Sequence, residues 1–424
     1  MNLPISHPWR ITNAWRYLNG MSRICCALAL AMYVLCFLSL TSAQAQSTNI
    51  YKVTKIEVDR TADTAADARQ QAIIEAHGQA FNRLLARLVP ADQLTVLTIP
   101  THAEIVPMVQ SFGIDQERTS RVRYIGNLSF HFRRMEVRQF LRSAGVTFAE
   151  TKSKPMLVLP VLDSIGAKLL WDAQNPWFDA WNALPRSSGL VPLKLPVGDL
   201  IDIRDLSAEQ AATGDTLQIN TIGERYGAAT VVTAEAVVEL STVSGHRNVS
   251  VTTRYFGGPW ADRTDVRVFR IEDNESDSDA LGWIALKISQ QIEEDWKLDN
   301  ILQLDNSNNL IAGVWLDNLQ EWVEMRRRLS DVALIHNIEL GTISRTKATI
   351  RLKYFGNLGK LRTALTQYDL LLKRGTVNWI LQDAQTKNKA PQPLVETSPE
   401  KLPTPSSEKN QQSDPMPDSR SIAR

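Results

Sequence analysis

The chain has 424 residues, 43% of them hydrophobic and 22% charged, with 47 basic against 46 acidic side chains. That length is enough for two or three cores, since single cores stop growing at about 250–300 residues, and the even charge balance lacks the basic excess of nucleic-acid binders. With 20 glycines, 19 prolines and one long apolar run, the chain is neither collagen-like, wholly disordered nor a polytopic membrane protein.

Arg10, Arg16 and Arg23 precede a charge-free stretch from Ile24 to Leu40, and Thr41-Ser42-Ala43-Gln44-Ala45 follows it. A basic flank, an apolar core and an A-x-A ending form the pattern of a secretory signal, with cleavage expected after Ala45. Met21 competes with Met1 as the start. The competing reading of 24–40 is an uncleaved membrane anchor, but the run is at the short end of what a span needs, roughly 17–25 residues. Cys36 follows Tyr33-Val34-Leu35, without the small residue that a lipoprotein signal sets before its cysteine, which argues against a lipid anchor. Cys25, Cys26 and Cys36 all fall inside the signal, so the mature chain has no cysteine for a disulfide, a thiolate metal site or a nucleophile. The expected location is periplasmic or secreted, with no integral membrane segment after cleavage.

Elements in chain order predict an α+β protein made of small α/β modules in series. In the first module, 46–153, Tyr51–Asp59 alternates as a strand. Thr64 to Asp67 resembles a capping box, and the helix after it sets Ile73, His77, Ala80, Phe81, Leu84 and Leu88 on one face before Pro90. An irregular, proline-containing stretch leads to a second strand, Val122–Phe132, and to a short helix from Arg134 to Ala144 that ends at Gly145.

The second module, 154–300, opens with Pro155–Leu162, a continuous apolar run suited to a strand buried on both faces. A helix at Pro176–Leu184, a strand at Val191–Leu195 and a helix from Asp215 to Tyr226 follow. Ala229–Leu240 and Asn248–Phe256 read as a hairpin turning at Ser244-Gly245-His246. Asp265–Ile271 adds a strand, and a last helix carries Ile284, Ile288, Ile292 and Trp296, so a mixed sheet covered by helices is expected.

The third module, 310–383, runs from a strand at Leu310–Leu316 to a helix bearing Leu319, Trp322, Val323 and Leu329, and then to two strands, the second being Lys347–Tyr354. Gly356-Asn357 opens a helix with Leu358, Leu361, Leu365 and Tyr368, and Val377, Trp379 and Leu381 close with a single strand. That order, β-α-β-β-α-β, is the split-βαβ ferredoxin-like motif, a fold that specifies no activity by itself. From Ala384 the composition turns polar, with seven of the nineteen prolines, and predicts a disordered tail over 384–424.

The strand-helix opening Tyr51–Val89, the Lys154-Pro155 entry before an apolar strand, and the pattern from Val314-Trp315-Leu316 to Leu352-Lys353-Tyr354-Phe355-Gly356 together resemble the DUF2066 family, exported bacterial proteins of unknown function. The likeness spans most of 50–383 and implies a bacterial envelope protein, with no catalytic residues to carry over. The middle module is also similar in layout to the small α/β domains that open certain periplasmic assembly proteins.

The chemistry is sparse. His77, His102, His131, His246 and His336 are scattered, with no metal-binding spacing, and no Walker loop, G-x-S-x-G elbow or G-x-G-x-x-G occurs. Ser344 to Lys347 spells S-x-x-K, but in an expected turn rather than on a helix, where Lys would lie beneath Ser. Asp273, Glu275, Asp277 and Asp279 suit a solvated loop before a helix better than a cation site. Trp171, Trp177, Phe178 and Trp181 form the densest aromatic group, either core or a surface for a glycan or partner. Arg134, Arg138 and Arg142 share a helix stripe that reads as hydrated surface or as a contact for anionic lipid headgroups or an acidic partner. Arg326-Arg327-Arg328 suits a helix C-terminus.

These residues favour a non-enzymatic envelope interaction or assembly protein, with an envelope protein as partner, no nucleic acid and no cofactor. Two alternatives stand beside it: an envelope hydrolase or transferase whose site gathers distant segments, and a glycan or small-ligand binder using Trp171, Trp177 and Trp181.

Overall fold

The computed structural model describes residues 49–384 apart from 165, 186–187, 241–246, 305 and 376–377. The expected signal, the Ser244-Gly245-His246 turn and the tail beyond Ala384 lie outside the described residues. The fold is α+β, built on three sheets. Among the described residues no helix is long and apolar enough to cross a membrane.

The first sheet is antiparallel, in the order β1-β3-β2, from β1 (Lys52–Thr61), β2 (Val109–Thr119) and β3 (Arg123–Phe132). Helix α1 (Ala65–Leu88) lies against it, with Phe81, Leu84 and Leu88 buried. The alternation in β1 changes phase midway, because Val53 faces the core and so do Ile56 and Val58. A bulge between Val53 and Ile56, with Lys55 at φ 58°, restores the register. Arg83 of α1 ties the bulge down, donating to the carbonyls of Thr54 and Lys55 at 3.1 Å. At the start of α1, the Thr64 hydroxyl accepts from Asp67 N at 3.1 Å, but the Asp67 carboxylate takes the hydroxyl proton at 2.7 Å and does not reach back to the chain. The stretch read as irregular holds β2, whose residues are almost all exposed. A strand with both faces in water needs no apolar alternation, so it left no pattern to read. Helix α2 (Arg134–Ser143) ends at Gly145, which takes φ 70°.

The middle sheet runs β5-β4-β7-β8-β9, from β4 (Met156–Ser164), β5 (Ala167–Leu169), β7 (Thr230–Leu240), β8 (Arg247–Phe256) and β9 (Thr264–Arg270), with the short β6 (Leu193–Lys194) also beside β4. Strand β4 is buried on both faces. Met156, Val158 and Leu162 pack toward one core, with α3 (Pro176–Asn182), while Leu157, Leu159 and Val161 pack toward the other. Pro160 falls between the short partners, β6 at Met156–Leu157 and β5 at Leu162–Ser164, where one side of the strand has no neighbour. On the second face, α4 (Leu200–Asp205) and α5 (Ala208–Thr213), both unforeseen, precede α6 (Thr216–Arg225). Each has six residues, too few for a periodic stripe. Helix α7 (Asp277–Asp299) buries Ile284, Ile288, Ile292 and Trp296 on the first face, as its spacing predicts.

The C-terminal sheet comprises β10 (Ser307–Trp315), β11 (Ile335–Ile343), β12 (Lys347–Phe355), β13 (Leu370–Arg374) and β14 (Trp379–Asp383), with α8 (Leu319–Asp331) and α9 (Leu358–Gln367) on one face. The split-βαβ core is present, with β12 lying between β10 and β11. Its end differs from the single closing strand expected. Two strands follow α9, and β14 turns back from β13 to lie parallel to β10, giving the order β11-β12-β10-β14-β13. The apolar residues of the first and third sheets form one continuous core, joined around Phe148 and Leu302.

Candidate functional site

The three sheets meet at the segment Phe148–Lys154. Ala149 donates its N–H to Leu88 O at 2.9 Å beside the first sheet. Thr151 O accepts from the Trp296 indole at 2.6 Å, and Ser153 N donates to Leu190 O at 2.8 Å, both in the middle unit. Lys154 reaches the third unit, its N–H bonding Gln367 at 2.8 Å and its ammonium pairing with Asp369 at 2.5 Å.

At the centre of this strap Glu150 is fully buried and saturated. Arg138 Nε donates to its Oε1 at 2.7 Å and Nη2 to its Oε2 at 2.8 Å, while Arg134 Nε reaches Oε2 at 3.0 Å and the Tyr51 hydroxyl donates to Oε1. Arg138 Nη2 also donates to Ala333 O at 2.9 Å, linking the first unit to the third. Burial alone pushes the Glu150 carboxyl upward, but the bonds and charges of Arg138 and Arg134 outweigh it and hold the group below the usual carboxylate range. The Tyr51 hydroxyl is pushed well above its ordinary value by burial and then by the Glu150 charge.

The basic stripe therefore divides. Arg138 is buried in an ion cluster, Arg134 is half-buried in the same cluster and Arg142 is exposed, so these three do not form one basic surface for lipid headgroups. The reading of a hydrated face is corrected because the third unit packs over it. Glu150 carried no sequence signal, as its partners lie 12, 16 and 99 residues away.

A second junction joins α1 to α7. Lys297, 2% exposed, donates to Ala86 O at 2.6 Å and Val89 O at 3.1 Å and pairs with Glu294 at 2.8 Å. Glu293 accepts from Leu190 N and Val191 N, and its carboxyl is raised by burial. Gly189 leaves room for it, since a Cβ there would collide with the carboxylate. Burial brings the Arg87 guanidinium down to about 10, and its Nε has no hydrogen-bond partner.

Two clefts flank the strap. One, of about 520 Å³, lies between the entry of β4 and α9 and is lined by Lys154, Thr230, Gly258, Arg362 and Thr366. The other, of about 670 Å³, has Arg142 and Thr147 at one wall and Gln303 and Asn306 at the other. The polar side chains lining both are cationic, hydroxyl or amide, a set that binds and orients but holds no paired acid and base.

The tryptophans separate. Trp177 and Trp181 are packed inside the middle unit at 5.7 Å, edge to face, and the Trp177 indole donates to Ala234 O at 2.8 Å. Neither can lie against a glycan or partner. Phe178 is half-buried, and half-buried Trp171 donates to Leu206 O at 2.7 Å on the other face of the sheet. His77 is buried against His102, with ring centroids 5.1 Å apart, while His131 and His336 lie elsewhere and His246 is outside the described residues. Asp277 pairs with Arg247, Glu275 takes the Trp283 indole proton and Asp279 bonds Ser276 at the start of α7, so the acidic loop is spent on its own fold. Among the described residues no three His, Asp or Glu gather to hold a metal. Ser344 and Lys347 close the β11–β12 turn, the Ser344 hydroxyl donating to Lys347 O at 3.0 Å.

Sheet edges are where the backbone is left open. Strand β9 ends the middle sheet, with β8 as its one neighbour among the described residues. Its Val266 and Val268 are 62% and 66% exposed, and Arg267 between them is exposed too. The sequence predicted this strand, but a propensity pattern does not tell an edge from a centre.

No protein-family model matches the sequence, and no curated protein matches it. Among solved structures, a PelC variant dodecamer from Paraburkholderia phytofirmans is similar at 12% identity and a TM-score of 0.23, over 34% of this chain and 91% of that one. The lipoprotein GNA1162 from Neisseria meningitidis is similar at 20% identity and a TM-score of 0.22, over 33% of this chain and 96% of that one. A DUF330-family protein from Xanthomonas campestris is similar at 6% identity and a TM-score of 0.15, over 35% of this chain and 83% of that one.

Proposed function

We propose that this chain is a docking protein of the bacterial cell envelope, binding a protein partner through an open sheet edge rather than turning over a substrate. The observation that carries this reading is β9, an unpaired edge that displays Val266 and Val268 to solvent. Arg267 and Arg270 put charge on this strand, but its open ladder can still recruit another strand. The leader from Arg10 to Ala45 and the resemblance to DUF2066 support the envelope as the compartment. The ionic side chains at the strap support a binding role, since Glu150, Arg138 and Lys297 are spent on holding the units together.

Crosslinking the protein in intact envelopes tests the proposal. A defined crosslinked species is expected from the native chain and is lost in the Val266→Lys, Val268→Lys double variant, with circular dichroism unchanged. A species that persists in the double variant, or none from the native chain, overturns it.

A further inference from the structure

The C-terminal sheet is covered on one face. Leu310, Ala312, Val314, Ile350 and Leu352 are buried there with Leu329 of α8 and Leu361 of α9. Alternate residues of the same strands point the other way, onto a face where Trp315 is 44% and Ile311 42% exposed. The ladder sets these residues in rows. Trp315 stands opposite Lys347, Ile311 opposite Arg351, and Asn309 opposite Lys353. Glu339 lies beyond Arg351, and Gly313 leads through Ile380 to Lys373.

Among the described strand residues, Lys347, Arg351, Lys353 and Lys373 thus share this face with one carboxylate, Glu339, which meets Arg351 at 3.3 Å and Lys353 at 2.5 Å. Lys347 Nζ lies 5.3 Å from the centroid of the Trp315 ring. Such a surplus of like charge is complementary to an anion.

The kind of anion follows from what the face offers. The backbones of β10 and β12 already have partner strands on both sides, so no peptide strand can add here. A ligand meets side chains alone, a ring to lie on and charges to pair with. Single-stranded nucleic acids use several stacking rings in succession, and here Phe355 is taken up by His336, with centroids 4.6 Å apart. One indole beside a row of cations suits a sugar ring that carries acid groups.

We infer that the open face of the C-terminal sheet binds an acidic polysaccharide of the uronic-acid class, with a sugar ring on Trp315 and carboxylates paired to Lys347, Arg351 and Lys353. The site is separate from the β9 edge and stands without it.

Calorimetric titration of the purified protein with oligogalacturonate tests the inference. Affinity is expected to fall about tenfold or more in Trp315→Ala and in Lys347→Glu, to weaken with added salt, and to be absent for a neutral maltooligosaccharide. Circular dichroism reports whether each variant keeps its sheet, and Lys373→Glu gives a third variant at an exposed position on the same face. Equal affinity in the folded variants, equal affinity for the neutral glycan, tighter binding of single-stranded DNA, or no binding at all overturns it.

Discussion

Two groups of basic side chains sit at regular spacing on regular elements and meet opposite fates. Arg134 and Arg138 on α2 are drawn into a cluster around buried Glu150, where Arg134 Nε and Arg138 Nε and Nη2 donate to carboxylate or carbonyl oxygens. Lys347, Arg351 and Lys353 on β12 stay at the surface, where Glu339 pairs with Arg351 and Lys353. The difference lies in the cover. The third unit closes over α2, whereas among the described residues no layer lies on the open face of the C-terminal sheet. Charge under cover is structural, and its removal reads out as stability. Charge without cover is available to a ligand, and its removal reads out as affinity.

The contrast breaks most visibly at Glu150. Glu150→Ala leaves Arg138 buried without its carboxylate and is expected to lower stability by about 3–5 kcal/mol in urea unfolding. A loss below about 1 kcal/mol, the value of a surface pair, would put both groups of cations in one class. Replacing the buried pair together, Glu150→Leu with Arg138→Met, is expected to recover most of the loss, because an apolar pair of similar volume has no stranded charge.

A smaller effect comes from pH. Burial lowers the pKa of His77, whose Nδ1 lies 2.8 Å from Ile73 O. The folded state therefore holds this ring neutral while the unfolded chain, titrating near about 6.5, takes up the proton. Stability from His77 is complete above that value and is lost as pH falls through it toward the lower folded pKa. Urea midpoints measured from pH 7.5 to 5.5 are expected to decline less steeply in His77→Gln than in the native chain, and equal slopes would remove His77 as the cause.

The smallest change belongs to the open face. Lys347→Glu is expected to alter stability by less than about 0.5 kcal/mol, as surface substitutions do, while weakening acidic-glycan binding. A large loss of stability would show that Lys347 is held by more than the Trp315 ring.

Much of the fold was legible because burial imposes periodicity. Ile284, Ile288, Ile292 and Trp296 fall on one side of α7 as their spacing requires, and the unbroken apolar run of β4 is buried on both faces. Strand β2 was not legible, since an exposed strand carries no apolar signature, and the β13–β14 reversal was not, since a parallel partner across the sheet leaves no local mark. The sites were less visible still. The stripe of Arg134, Arg138 and Arg142 is real as spacing, yet spacing specifies a face and says nothing of what will lie against it. Trp177 and Trp181 illustrate the same point from the apolar side, being the densest aromatics in the sequence and among the least accessible in the fold. Trp315 drew no notice as a binding residue because its partners Lys347 and Arg351 are distant in the chain and meet it only through strand pairing.

The strap from Phe148 to Lys154 has a mechanical consequence. Its bonds to Leu88, Leu190, Trp296 and Gln367 tie one short segment to all three units, so a substitution that breaks the segment is expected to loosen all three together.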